Sequence, residues 1–489
     1  MRVKYVLVNT PAFDEEFIPH PALGPPILNS YLISRDIPIT LIDLLIKVRY
    51  FNRLRKANIN LNVFKERKNV LNYLFQNKRN DVSKETKKIA NLGNLTKYKM
   101  VGFTIGSESN FIIALCLSKF LKEKGIKVIF GGPFLNVISP SKKELSEIPL
   151  VDYFVLGKGE VALFQIFNES NLNQRIIRGK NVHIENESIP SFNENFLRLY
   201  EKTTIGPRVL PYRLSEGCCS KCSFCTYHKK AKYEYKSIEK ILFELKYLSK
   251  KYKTNYFRFC DSTINNDNEY LKKICEEIIK QKLKIKWGGF ARPQIQPDIL
   301  KLMSKAGCTF LSFGVESGSN KILYSMRKGF KIEEVSKTIM NCVKYKIKPV
   351  ASFICGYPYE TEEDFELTKK FVKEFGKYMW DAVPCPFLLL RNSSLYQNPS
   401  LFRIKIRKKR SLWNMIFSGP LYLGIRCHFE FDEIDGLCWE HKWKQINLRC
   451  AQLFKLIKKI KIRTFFKENV LLKGYKYLKS QYCFDTYPF

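Results

Sequence analysis

Twice along this chain, short apolar runs of strand length alternate with amphipathic stretches of helix length. Residues 2–9, 38–43, 99–105, 127–130 and 152–156 make the first set of strands, with helices expected over 25–36 and 110–124. A second set begins near residue 209 and runs through 209–214, 256–261, 285–292, 310–317, 348–356 and 379–390, with helices such as 238–251 and 361–376 between strands. Strands joined through helices pair in parallel, because each crossover returns the chain to the same end of the sheet. The first series predicts an α/β doubly wound, Rossmann-like sheet. The second, with six regular βα units, predicts a partial (β/α)6 barrel of the TIM type. Both architectures place binding and chemistry at the carboxyl ends of the strands.

A chain of 489 residues exceeds one ordinary core. The expected division is a first domain over 1–165, a connector over 166–205, the barrel over 206–390 and a mostly helical extension over 391–489. A lysine- and asparagine-rich stretch at about 46–98 reads as an insertion in the first domain. Thr361 and Asp364 fit a capping pair at the start of the helix that follows the fifth barrel strand.

Hydrophobic residues make up 45% and charged residues 27%, the composition of a globular protein. The formal charge of +38 fits either an anionic partner such as RNA or a membrane surface, or a lineage rich in Lys, Ile and Asn. The basic residues are spread along the chain, with local density at 405–410 and 455–463, which favours composition over nucleic acid. No apolar run approaches the roughly 18 residues of a membrane span. The opening MRVKYVLVNT lacks the pattern of a secretory leader. A reduced, cytoplasmic protein is expected, so clustered cysteines read as metal ligands or thiols.

Cys218, Cys222 and Cys225 form C-x3-C-x2-C directly after the first barrel strand. Three thiolates in one compact loop can hold a four-iron four-sulfur cluster and leave one iron open. Alternatives are a zinc knuckle, with His228 as a fourth ligand, or buried thiols. Cys219 falls outside the spacing. Cys427, His428, Cys438, His441 and Cys450 in the extension are spaced too widely for a compact knuckle, so buried thiols are the expectation there.

With Phe224 before its third cysteine, this loop resembles that of the radical SAM superfamily, whose cluster binds S-adenosylmethionine and cleaves it reductively to a 5′-deoxyadenosyl radical. The resemblance continues through FRFCDSTIN, WGGFARPQ, SFGVESGSNKIL and FICGYPYETEEDF. It implies cofactor contacts from Asp261, Arg292, Glu316, Ser317, Gly356 and Pro358 at successive strand ends, beside Phe224; Gly318, Glu360 and Thr361 belong to the same segments. Asp261 and Glu316 suit the amine and the ribose, and Arg292 suits the carboxylate.

The first domain resembles the cobalamin-binding domain that precedes many radical SAM domains, in PALGPPILNSYLISRDIPITLIDL, VGFTIGSESN, VIFGGP and DYFVLGKGEVAL. The resemblance implies corrin contacts at Ser107, Ser109, Gly131, Gly132, Gly157 and Gly159. It departs from other cobalamin methyltransferases in lacking a D-x-H-x-x-G motif; His20 is the only histidine in this domain and its context differs. Together the resemblances, which span about residues 1–390, imply cobalamin-dependent methylation of an unactivated carbon, or a radical cyclisation or rearrangement without methyl transfer. Implied partners are a one-electron donor such as ferredoxin or flavodoxin and a small-molecule or peptide substrate. An RNA-binding iron-sulfur or zinc protein is the competing class.

Overall fold

The computed structural model describes residues 4–13, 20–168, 172–204, 206–227, 233–407, 412–418 and 428–460. Two compact units emerge. The first comprises Met1–Glu15, Pro19–Arg208 and Arg410–Cys427; the second comprises Glu16–Ile18, Val209–Lys409 and His428–Phe489.

The first unit is built on a six-stranded sheet of β1 (Tyr5–Asn9), β2 (Ile39–Asp43), β3 (Met100–Thr104), β4 (Lys127–Gly131), β5 (Tyr153–Leu156) and β6 (Ile176–Arg178). Its order is β2-β1-β3-β4-β5-β6, and every pairing is parallel. The inner strands are apolar and buried on both faces, as a helix-covered parallel sheet requires. The order reverses between β1 and β3, the place where doubly wound sheets open a crevice at their carboxyl edge.

The stretch read as an insertion is the crossover from β2 to β3. It folds into helices Leu44–Arg53, Arg67–Gln76 and Asp81–Leu92. Asn80 and Ser83 form a capping box at the start of the last, and its Val82, Ile89 and Ala90 are buried. Residues 166–205, expected as a connector, supply the edge strand β6 and the helix Glu194–Thr204. Three strand residues at a sheet edge are too few to print a periodicity in the sequence.

The second unit carries β7 (Val209–Tyr212), a small antiparallel pair of β8 (Ser215–Glu216) and β9 (Glu234–Tyr235), and then β10 (Tyr256–Phe259), β11 (Lys286–Ala291), β12 (Cys308–Glu316), β13 (Lys348–Cys355) and β14 (Asp381–Pro386). Its six-stranded sheet runs β14-β13-β12-β11-β10-β7, parallel throughout and in chain order. An apolar cluster joins Val209 of β7 to Val383 and Cys385 of β14 by way of Phe310 and Val350. Side chains from the first and last strands meet only if the sheet curls, so this cluster fills the floor of a partial barrel. Thr361 caps the helix Glu362–Phe375 in a capping box with Asp364.

The extension is less helical than expected. Β-strands β15 (Ile404–Ile406) and β16 (Phe431–Glu433) pair antiparallel, and only then does the long helix Trp439–Lys459 follow. That helix packs against β14 and against the helix Glu362–Phe375. Its buried face carries Trp439, Ile446, Leu453 and Ile457 together with two charged residues, Lys442 and Arg449. Among the described residues no helix is long and apolar enough to cross a membrane.

Candidate active site

The cysteine loop leaves β7 and is fastened at several points. Gly217, at φ +91°, offers its carbonyl to the Ser262 hydroxyl and to Asn266 Nδ2, the latter at 3.4 Å. The Cys219 amide donates to Asn266 Oδ1 at 3.1 Å. The Ser223 amide donates to the Met326 carbonyl at 3.0 Å, and the Ser223 carbonyl accepts the Leu395 amide at 3.0 Å. Cys222 is buried, Cys218 and Cys225 are half-buried, and Cys219 faces solvent.

Burial pushes the Cys225 thiol up to about 12, with Cys222 and Cys218 near enough to add to the rise while the Tyr227 amide and the Lys328 ammonium oppose it. A thiol this reluctant to ionise becomes a ligand when a metal displaces its proton. Among the described residues no three His, Cys, Asp or Glu side chains group as a single metal ion requires. Three thiols in mutual electrostatic reach on one short loop suit a cluster whose ligands bind separate irons. His228, the fourth ligand of the zinc reading, lies outside the described residues.

The strand ends around this loop differ in what they leave available. Asp261 is fully buried. Its oxygens accept from the Leu214 amide at 3.1 Å, the Ser215 amide at 2.6 Å and the Ser215 hydroxyl at 2.7 Å. Expected, with Glu316, as an acceptor for the cofactor's amine or ribose, it braces the backbone that enters the cysteine loop. Desolvation raises its pKa to about 6 against these donors.

Arg292 reaches the cysteine loop directly. Its Nη1 donates to Ser220 Oγ at 2.7 Å, its Nε and Nη2 donate to Gln294 Oε1, and its Nη2 also meets the Lys328 carbonyl. The Arg292 amide donates to Asn265 Oδ1 at 2.8 Å.

Glu316 ends β12 at φ +69°, a strained setting for a residue with a side chain. Lys328 Nζ lies 3.2 Å from its Oε1, while its Oε2 is buried and has no hydrogen-bond partner among the described residues. Burial raises the carboxyl's pKa and the ammonium holds it back. A buried acceptor left unfilled is costly, so this oxygen marks where a donor group on a bound cofactor would fit.

Ser317 turns the other way. Its hydroxyl accepts the Ser319 amide at 3.1 Å and lies 3.3 Å from the Thr368 hydroxyl, which ties it to the packing of the next helix. Gly356 has φ +81°, and a Cβ there would stand 2.2 Å from Ile446 of the C-terminal helix. Pro358 follows in a buried turn, and the Phe224 ring is buried with Lys328 Nζ 5.7 Å above it.

The sequence reading missed Lys328, Tyr357 and Arg258. Lys328 sits in MRKG, twelve residues past Glu316 (328 minus 316), a separation that suggests no pairing. The Arg258 guanidinium lies between the rings of Phe290 and Phe310, 4.8 and 4.9 Å from their centroids.

In the first unit the expected corrin residues sit at the carboxyl edge. Gly131 ends β4. Gly132 follows at φ +114°, where a Cβ would stand 2.7 Å from the Ile105 carbonyl oxygen, so only glycine lets these two loops touch. Gly157, at φ +88°, follows β5 and donates its amide to Asn136 Oδ1 at 3.0 Å. Gly159 lies close to Leu28, whose Cδ2 would be 3.1 Å from an added Cβ. Ser107 and Ser109 are buried and share a 2.9 Å hydrogen bond. Ser107 caps the helix Glu108–Lys122 with Asn110, whose amide also ties in the carbonyls of Thr10 and Pro11. These serines build the loop, and the glycines leave it room. His20 Nδ1 is 2.9 Å from the Pro21 carbonyl.

Among the described residues the extension's cysteines and histidines form no group of three. Cys438 Sγ and His441 Nδ1 are 3.0 Å apart, His428 stacks on Trp443, and Cys450 hydrogen-bonds the buried thiol of Cys355. Cys427 lies outside the described residues.

Comparison with known proteins agrees with this architecture. Residues 212–372 match the radical SAM superfamily model. An uncharacterized methyltransferase, PH0819, of Pyrococcus horikoshii is 26% identical over 398 residues, covering 76% of this chain and 80% of that one. The radical S-adenosylmethionine methyltransferase TsrM of Kitasatospora setae, solved with cobalamin and a [4Fe-4S] cluster, superposes with a TM-score of 0.60 at 14% identity, over 93% of this chain and 89% of that one. The cobalamin-dependent S-adenosylmethionine radical enzyme OxsB, solved with aqua-cobalamin and S-adenosylmethionine, gives 0.62 at 15% identity, over 98% and 71%. Residues 212–372, in the curled sheet of the second unit, therefore carry a radical SAM domain, and the chain shares its fold with these solved proteins.

Proposed function

We propose that the protein is a cobalamin-dependent radical SAM methyltransferase acting on an unactivated carbon. The observation that carries this is the joint placement, within one unit, of three thiols in a pinned loop and the unfilled Glu316 Oε2 at the end of β12. In this reading Cys218, Cys222 and Cys225 hold a four-iron cluster, and Glu316, Arg292, Phe224, Gly356 and Pro358 line the S-adenosylmethionine site. Asp261 and Ser317 act one step back, by fixing the loops that carry the others.

When bound, the cluster and S-adenosylmethionine supply a one-electron cleavage that yields a carbon radical. The chain's own part is to keep water from the thiols, to orient Arg292 through Ser220 and Gln294, and to hold Glu316 ionised with Lys328. Gly131, Gly132 and Gly157 leave room at the carboxyl edge of the first sheet for a corrin. The similarity to PH0819, TsrM and OxsB supports methyl transfer with cobalamin. The reductant is a small one-electron donor of the ferredoxin or flavodoxin kind, and the reducing setting such chemistry needs suits the cytoplasm.

Anaerobic reconstitution tests the proposal. The reduced protein should convert S-adenosylmethionine to 5′-deoxyadenosine and retain hydroxocobalamin after desalting. Substrates found by gene neighbourhood should gain one methyl group. A product of unchanged carbon count would instead favour the cyclisation reading, and a colourless desalted protein would remove cobalamin from it.

A further inference from the structure

Three buried charges from beyond the barrel meet a fourth on one short turn of it. Lys442, Arg449, Glu433 and Glu360 are all buried. Lys442 Nζ donates to the Tyr357 carbonyl at 2.9 Å and pairs with Glu433 Oε1 at 2.7 Å. That same Glu433 oxygen accepts the Tyr359 amide at 2.7 Å. One ion pair therefore holds the carbonyl before Pro358 and the amide after it.

Arg449 fixes the next residue. Its Nη1 donates to the Glu360 carbonyl at 3.0 Å and to Glu360 Oε2 at 2.8 Å, and Oε2 also accepts the Gly356 amide at 2.8 Å. The turn needs such help, because Pro358 has no amide to donate and Tyr359 sits at φ +58°.

Tyr357 projects its side chain towards the cysteines. Its hydroxyl donates to the Ser325 carbonyl at 3.0 Å and shares a 2.8 Å hydrogen bond with Ser223 Oγ. Ser223 lies between Cys222 and Cys225. A continuous chain of short contacts thus runs from Lys442 and Glu433, through the Tyr357 carbonyl and hydroxyl, into the cysteine loop. Apolar residues would seat the C-terminal helix at least as well as buried ions do, so charge at this turn calls for a role in precise placement.

We infer that the Lys442–Glu433 pair is a positioning device for the cofactor site: it sets the Tyr357–Tyr359 turn, and Tyr357 transmits that setting to Ser223 in the cysteine loop. Neither residue touches the cofactors; both act through Tyr357. The inference rests on the reading of Cys218, Cys222 and Cys225 as cluster ligands.

Three variants test it: Lys442→Met combined with Glu433→Gln, which removes both charges together; Lys442→Arg, which keeps the cation; and Tyr357→Phe, which keeps the ring and loses the hydroxyl. In the apoprotein, hydrogen exchange at the Tyr359 amide should accelerate in the double variant by about 10-fold or more and stay near wild type in Lys442→Arg, the scale on which supporting contacts act on a site. After anaerobic reconstitution, the double variant and Tyr357→Phe should keep full iron content. Both should show an altered electron paramagnetic resonance signal of the reduced cluster and need about 10-fold more S-adenosylmethionine for half-maximal cleavage.

A double variant with faster Tyr359 exchange but unchanged cluster signal and half-saturation would reduce the pair to a structural brace and overturn the inference. So would an unchanged Tyr357→Phe, or iron loss in the double variant alone. A wild-type chain that takes up no cluster would overturn the reading of the cysteines themselves; a loaded wild type with indifferent variants would overturn only the relay.

Discussion

Glu316 and Lys328 form a buried ion pair of 3.2 Å at the end of β12, in which the carboxylate keeps one oxygen, Oε2, without a partner. The ammonium compensates the burial of the carboxylate yet leaves half of it open. That asymmetry separates Glu316 from the other strand-end carboxylate, Asp261, whose oxygens are taken by Leu214 and Ser215. Glu316→Gln should raise the S-adenosylmethionine concentration needed for half-maximal binding by roughly 10- to 100-fold, since a charged acceptor is replaced by a neutral amide. Equilibrium dialysis against the reconstituted protein would read the shift, and an unchanged affinity would place the cofactor elsewhere.

Lys328 should set the acid limb of that binding. Burial raises the Glu316 pKa and the Lys328 charge lowers it. Removing the charge with Lys328→Met lets burial act alone, so the carboxyl protonates at higher pH. Binding that needs the carboxylate should then fade earlier on acidification than in wild type. A profile whose acid limb moves to lower pH, or not at all, contradicts the pairing.

The three cysteines should behave as a set. Cys222→Ala should abolish the charge-transfer absorption of the reconstituted cluster and drop bound iron well below the about four per chain expected of the wild type. Cys219→Ala should leave both unchanged, because Cys219 faces solvent. Iron analysis and the visible spectrum decide between these outcomes.

Asp261 predicts a pH signature in the apoprotein. Its folded pKa of about 6 stands above the ordinary 3.8. Between those values the folded chain holds more protons than the unfolded one, so stability falls as pH rises through the window. The full loss is about 3 kcal/mol, from roughly 1.4 kcal/mol per pKa unit. Asp261→Asn, which cannot ionise, should flatten this part of the profile. Urea midpoints from pH 4 to pH 7 measure it, and equal slopes for both proteins would rule it out.

Gly356→Ala should destabilise the second unit by about 1–3 kcal/mol or more, for two separate reasons: φ +81° strains any side chain, and the new Cβ would stand 2.2 Å from Ile446. Gly131→Ala in the first unit should be mild, because its Cβ would meet Val155 at an ordinary 3.6 Å. Thermal melting compares the two.

Much of this molecule is written locally. The period of the apolar residues set the strands and helices, and the helices between strands made both sheets parallel. The spacing of Cys218, Cys222 and Cys225 put three thiols into one loop. The Thr361–Asp364 cap was legible for the same reason: its partners are three residues apart. What the sequence could not rank was Asp261 against Glu316. Both are acidic, both end a strand, and only their folded neighbours show which one has an oxygen to offer. Nor did residues 391–489 print any motif for their task, because Lys442 meets the Tyr357 carbonyl across 85 positions of chain. Periodicity and short spacings report what neighbours along the chain can do. The partners of a buried charge are chosen by tertiary packing, which brings distant residues within hydrogen-bond range and leaves no trace in the order of the letters.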